Sequence, residues 1–198
     1  MTRAFALLLS ALTMLAGAGQ AQAQQFFFGE NSPDVLGGGP GFFRPGMPGG
    51  SSPIPRTTVY FSGNYAPGTI LISTSERRLY LVLNNGQALR YGIGVGRDGF
   101  RWSGTHRITA KKEWPSWTPP SQMLRRRPDL PRHMPGGIEN PLGARAMYLG
   151  STLYRIHGSN EPETIGQAVS SGCFRMTNED VTDLYNRVPV GTTVVVKN

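Results

Sequence analysis

The chain has 198 residues, 38% of them hydrophobic, and a formal net charge of +8. That length holds one domain plus extensions. A single cysteine excludes an internal disulfide, and beyond the N-terminal run no apolar stretch reaches the about 20 residues that cross a bilayer as a helix.

The N-terminus reads as a secretory signal peptide over residues 1–23. Thr2 and Arg3 give a basic start, Ala4 to Gly17 is apolar, and Ala21-Gln22-Ala23 is a small-x-small cleavage site. No cysteine follows the apolar run, so a lipoprotein anchor is not expected. The mature protein is expected to be exported, without an integral membrane segment. Residues 24–57 read as a flexible tether, since Gly and Pro make up fourteen of the thirty-three residues from Gln24 to Arg56. Phe26-Phe27-Phe28 and Phe42-Phe43 are unusual in a plain linker. They suit contact with a partner or loose packing on the domain, and both readings stand.

A domain is expected over residues 58–198. Thr69 to Ile72, Leu79 to Leu83, Ala88 to Tyr91, Ile93 to Val95, Thr105 to Ala110, Ala146 to Leu149, Tyr154 to Ile156 and Thr192 to Val196 are short runs rich in β-formers. Asn84-Asn85-Gly86 supplies a hairpin turn between the second and third of them. Such spacing predicts a mainly β fold, a β-sandwich or partly open barrel of short strands, with one or two short helices. From Arg97 to Arg132 nine Lys or Arg face three Asp or Glu, a balance that draws anionic partners. For an exported chain a carboxylate-rich cell-wall peptide fits this better than nucleic acid, and ordinary solvated charges are the alternative. Trp114 to Gly143 carries seven prolines and no period, and so reads as a long loop. With Arg125-Arg126-Arg127 it is either a basic lid or a solvated surface loop. The helix signal lies near the end: Thr177 as cap, Asp180 three residues on, then Val181, Leu184, Tyr185 and Val188 on one face, with Pro189 as the stop. A shorter turn is expected from Thr164 to Gln167.

Two motifs are set aside. Gly94-Val95-Gly96-Arg97-Asp98-Gly99 spells G-x-G-x-x-G, but Phe100-Arg101-Trp102-Ser103-Gly104 does not continue as the helix a dinucleotide site needs. His106, His133 and His157 have no metal-ligand spacing with each other or with Cys173. No metal and no cofactor are therefore expected.

Cys173 and His157 remain. A thiolate is a strong nucleophile at neutral pH and forms beside a base or a cation. An inert buried thiol is the alternative, against which stand Gly172 just before it and Arg175 two residues after. His157 closes a predicted strand, and Cys173 lies on a small-residue loop that leads into the helix. His157 then accepts the thiol proton or pairs with the thiolate as imidazolium. A third group must hold the imidazole tautomer. Asn160, Glu161, Asn178 and a backbone carbonyl near Gly158 are the candidates.

The blocks Tyr154-Arg155-Ile156-His157-Gly158-Ser159-Asn160, Ile165-Gly166, Ser171-Gly172-Cys173-Phe174-Arg175-Met176, Asn178-x-Asp180-Val181, Leu184-Tyr185, Val188 and Gly191-Thr192 resemble, in order, the catalytic domain of the L,D-transpeptidases of the YkuD type. Lys112-x-Trp114-Pro115, Pro135-Gly136-Gly137 and Asn140-Pro141-Leu142-Gly143 extend the likeness over roughly residues 58–198. The resemblance implies a β-rich domain acting on peptidoglycan stem peptides in the periplasm or cell-wall compartment of a bacterium. It implies Cys173 as nucleophile, His157 as base and the Gly158 carbonyl as the group orienting the imidazole. Arg175, Ser171 and Gly172 are implied as substrate-binding residues, with the amides of Gly172 and Cys173 as oxyanion donors. Many members carry His where this chain has Ser171, which alters the substrate contacts expected there. The implied reaction is attack on a donor stem, a thioester on Cys173 and transfer to an amine of an acceptor stem. Water or a protein N-terminus as acceptor is the alternative, and a non-catalytic wall-binding module is a third reading.

Overall fold

The computed structural model describes residues 52–198. The signal-peptide reading of residues 1–23 and the tether as far as residue 51 lie outside the described residues. Strand β1 (Thr57–Tyr60) opens the domain, followed by β2 (Ile70–Ser73), β3 (Arg78–Val82), β4 (Gln87–Gly92), β5 (Val95–Gly96) and β6 (Gly104–Glu113). Helix α1 (Ser121–Arg126), β7 (Arg145–Leu149), β8 (Arg155–His157), β9 (Ala168–Ser170), β10 (Phe174–Arg175), α2 (Asn178–Arg187) and β11 (Thr193–Lys197) complete it.

The mainly β expectation holds. Nine strands pair in the order β1-β4-β3-β2-β11-β6-β7-β8-β10, and β5 pairs separately with β9. Strand β6 joins the two halves. Its Gly104–Arg107 portion pairs with β11, and from Ile108 onward it pairs with β7, with a register shift between Ile108 and Ala110. A shift of this kind bends a strand and lets it pass from one sheet to the next. One core lies between the halves. Ile70, Ile72 and Leu79 meet Met147, Leu149, Ile156 and Phe174 there, all at 1% exposure or less. Each is at an alternate position of its strand, as a face of period two requires.

The β3–β4 hairpin turns where expected, with left-handed φ of 59° at Asn85 and 66° at Gly86. Both central residues of a tight hairpin turn need this region, which Asn and Gly enter at low cost. At α2 the Thr177 side chain accepts from the Asp180 amide at 3.2 Å. Val181 and Leu184 are buried on the inner face. Lys111 Nζ donates to the last carbonyls, Tyr185 O at 2.6 Å and Val188 O at 2.7 Å.

Several elements differ from expectation, and β1, β9 and β10 are strands that the expected runs did not include. The stretch read as one long loop contains α1, six residues with none buried. A helix without a buried face leaves no period to read. The turn expected at Thr164 starts earlier, as a 3-10 turn over Pro162–Thr164. The last tether residues lie against the domain: an added Cβ at Gly92 would meet Ile54, and Arg56 Nη1 is 3.2 Å from Asp180 Oδ1 and 3.4 Å from Asp183 Oδ2.

Candidate active site

The site is built on the parallel pair β8 and β10, where Phe174 sits opposite Ile156 and Arg175 opposite His157. Ile156 and Phe174 point into the core, at 0% and 1% exposure. Alternation then puts Arg155, His157, Cys173 and Arg175 on the other face. His157 at the end of β8 and Cys173 just ahead of β10, sixteen apart in sequence, are thus brought to one face.

Cys173 lies immediately before β10, half-buried, with Sγ 3.7 Å from Leu153 O. The loop that carries it is tied from both sides. Ser170 Oγ donates to Cys173 O at 2.6 Å and accepts from the Gly172 amide at 3.1 Å. Trp102 Nε1 donates to Gly172 O at 2.8 Å. The Trp102 ring stacks on Tyr154 at 4.4 Å and tilts against Phe174 at 5.4 Å. Gly172 has φ +106°, and an added Cβ would fall on the Tyr154 ring. Only glycine holds that conformation cheaply there. Of the two amides implied as oxyanion donors, that of Gly172 is already engaged by Ser170 Oγ. Ser171 is half-buried beside it.

His157 is 5% exposed. Its Nδ1 is 2.6 Å from Gly158 O. A carbonyl only accepts, so Nδ1 carries the proton and Nε2 keeps its lone pair. Of the other candidates for holding this tautomer, Asn178 Oδ1 accepts from the Ala144 amide at 2.8 Å, Asn160 Nδ2 donates to Glu139 O at 3.1 Å, and Glu161 accepts from Arg175 at 2.7 Å. Each is engaged elsewhere.

Burial lowers His157 to about 3, against the pull of the Gly158 carbonyl; the Arg175 and Arg155 charges lower it further. Burial pushes the Cys173 thiol up, opposed by Arg155 and then Arg175. The resting pair is therefore a thiol and a neutral imidazole, not an ion pair. An effect on stability follows. The unfolded chain takes up a proton on His157 at about 6.5, which the folded domain refuses until about 3. The contribution is whole above the unfolded value and is lost as pH falls from 6.5 towards 3. Urea unfolding should show a midpoint that declines across this window, and His157→Gln should flatten the decline. Equal slopes in both proteins would contradict the buried neutral ring.

Arg175 is held at both ends. Its backbone exchanges hydrogen bonds with Gly94 at 2.9 Å, and its Nη1 pairs with Glu161. The basic stretch reaches the same region through Phe100, whose ring lies 4.6 Å from the Arg97 guanidinium and 5.3 Å from that of Arg126 on α1. The Phe100 carbonyl faces Gly96 and Gly172. Trp102, Tyr154 and Ser170 are the supports that sequence reasoning did not single out. Trp102 stands in an irregular stretch with no period, so nothing marks it.

The Gly94–Gly99 run forms a bridge to Arg175, the short strand β5 and a turn at Gly99, and residues 100–103 after it are not helical. A dinucleotide cradle needs a helix N-terminus at that point. Among the described residues no group of three His, Cys, Asp or Glu converges as a metal set.

Comparison with known proteins identifies the fold. The family model for the L,D-transpeptidase catalytic domain matches residues 67–196. The probable L,D-transpeptidase YbiS of Escherichia coli K12 is 41% identical over 134 residues, which are 63% of this chain and 43% of that protein. The chain therefore spans under half the length of that relative. The crystal structure of L,D-transpeptidase 3 from Mycobacterium tuberculosis matches with a TM-score of 0.54 at 16% identity, over 66% of this chain and 60% of that one. A crystal structure from Brucella melitensis, described as a probable carnitine operon oxidoreductase, is 48% identical, with a TM-score of 0.50 over 74% of this chain and 96% of that one. That description applies to the Brucella protein.

Proposed function

The chain belongs to the L,D-transpeptidase catalytic domain family, and on that premise we propose that it is an exported cysteine acyltransferase that crosslinks peptidoglycan stem peptides in the periplasm or cell-wall compartment. The observation that carries the reading is that the pairing of β8 with β10 brings His157 and the residue just before β10, Cys173, to one face, with the His157 tautomer set by Gly158 O. Nε2 of His157 takes the thiol proton as Sγ attacks the donor carbonyl before the terminal D-amino acid. The S–C bond forms, the C–N bond breaks, and the D-amino acid leaves with the proton from the imidazolium. The thioester is then attacked by an amine, most simply the side-chain amine of a second stem. His157 accepts the amine proton, the S–C bond breaks and the thiol is restored. The Cys173 amide, next in the chain to the engaged Gly172 amide, is the donor nearest to the developing oxyanion. The basic residues around Phe100 suit a carboxylate-bearing stem.

Incubation with purified disaccharide-tetrapeptide, followed by mass spectrometry, tests this. A crosslinked dimer with loss of a D-amino acid is the expected product. Tripeptide alone would make water the acceptor, and transfer only to an added protein N-terminus would make it a protein-attaching enzyme. No change in the peptide would leave a wall-binding module.

Arg175 supplies a second test. Its ion pair with Glu161 and its backbone bonds to Gly94 make it a brace of the loop, and its place two residues after Cys173 suits a grip on a stem carboxylate. Arg175→Lys keeps the charge and loses the bidentate fork. A weaker donor affinity with unchanged melting temperature marks the grip; a lower melting temperature with altered thiol labelling marks the brace. A variant unchanged in both would make Arg175 an ordinary surface residue.

A further inference from the structure

Two guanidinium groups share the face of Cys173, and they are not equivalent. Arg175 directs Nη1 to the Glu161 carboxylate at 2.7 Å. Arg155 makes no ion pair among the described residues. Its Nε is buried and without a hydrogen-bond partner. A buried donor left unpaired costs about 1–3 kcal/mol, so an arginine kept only for packing is a poor choice at this position. The side chain is nonetheless well placed. Its Cζ lies 5.1 Å over the ring of Tyr148, its cross-strand partner on β7. Stepping back one residue from the Phe174–Ile156 pair sets Cys173 beside Arg155, whose charge is the first to oppose the effect of burial on the thiol.

We propose that Arg155 is the cation that holds the Cys173 thiolate once His157 has taken the thiol proton. The inference rests on Cys173 acting as the nucleophile. A positive charge beside the sulfur favours the thiolate, and beside the imidazole it disfavours the imidazolium, so the same group keeps the resting His157 neutral while easing loss of the thiol proton. The charged and titratable groups on this face are Arg155 and His157 from β8, Arg175 with its partner Glu161, and Lys112 of β6, with Nζ 5.8 Å from the Tyr148 ring. Glu161 offsets Arg175, Lys112 lies nearer the β6 side of Tyr148, and Arg155, without a carboxylate partner, is the charge at the strand position beside Cys173.

Alkylation of Cys173 by iodoacetamide reads this without any peptidoglycan. The thiolate sulfur displaces iodide, an S–C bond forms, and the thiol proton goes to His157 or buffer. Rates are measured across pH 6–10 in wild type, Arg155→Gln, Arg155→Lys and Arg155→Met, with thermal unfolding of each. Arg155→Gln should move the profile up by about one pH unit and slow alkylation about 10-fold below the thiol pKa. Arg155→Met, whose apolar stem still packs on Tyr148, should do the same if the glutamine variant does not fold. Arg155→Lys should recover most of the rate. Superimposed wild-type and glutamine profiles would overturn the proposal, and so would a lysine variant as slow as the glutamine one. If the profile depends on Arg155 while disaccharide-tetrapeptide is left untouched, the transpeptidase reading fails and the role of Arg155 stands.

Discussion

Cys173→Ala is expected to reduce crosslinking to background, a loss on the order of 10⁶-fold, the scale on which removal of the nucleophile is felt in acyl transfer. The chain has no second cysteine to take over. The fold should survive. Cys173 is only half-buried, and the hydrogen bond of its side chain, Sγ to Leu153 O, is long at 3.7 Å. The bonds that shape the loop run through Ser170 Oγ, Gly172 and the Cys173 carbonyl, which the substitution leaves in place. A carbapenem should acylate the wild type and not the variant, and its detection by intact mass on the alanine protein would remove Cys173 from the role.

His157→Ala is expected to slow acylation by about 100-fold or more, the usual range for loss of a general base. The thiol is pushed up by burial, so loss of Nε2 removes the base that takes its proton. The pH profile carries a second expectation. Because the ring stays neutral down to about 3, the wild-type rate should show no acid limb near pH 6.5 from this residue. A sharp limb at 6.5, or equal iodoacetamide labelling of wild type and His157→Ala across neutral pH, would contradict the neutral-base arrangement.

Local chemistry made much of this fold legible. The Asn85-Gly86 turn was readable because few residues accept positive φ, and α2 because cap, period and proline stop agree. His157 and Cys173 were readable as the residue types that acyl transfer needs, set in a recognisable order of blocks. Contacts between distant segments were not readable. Nothing in the sequence ties Trp102 to Gly172, seventy residues apart. Glu161 was one candidate to orient His157, and the structure instead gives it to Arg175, because the turn at Pro162–Thr164 sets it beside β10. The engagement of the Gly172 amide depends on the Ser170 rotamer, which sequence does not specify. Helix α1 left no trace because it is short and none of its residues is fully buried; Arg126 on it lies 5.3 Å from the Phe100 ring.

The central claim is a covalent acyl-enzyme on Cys173. The direct measurement is intact mass spectrometry of the protein quenched soon after mixing with a disaccharide-tetrapeptide donor, followed by peptide mapping. The predicted result is a mass gain equal to the donor less its terminal D-amino acid, located on the peptide that holds Cys173 and absent from Cys173→Ala. Turnover of the donor to crosslinked product by Cys173→Ala at the wild-type rate, with no acyl group on the cysteine of the wild type, would contradict it.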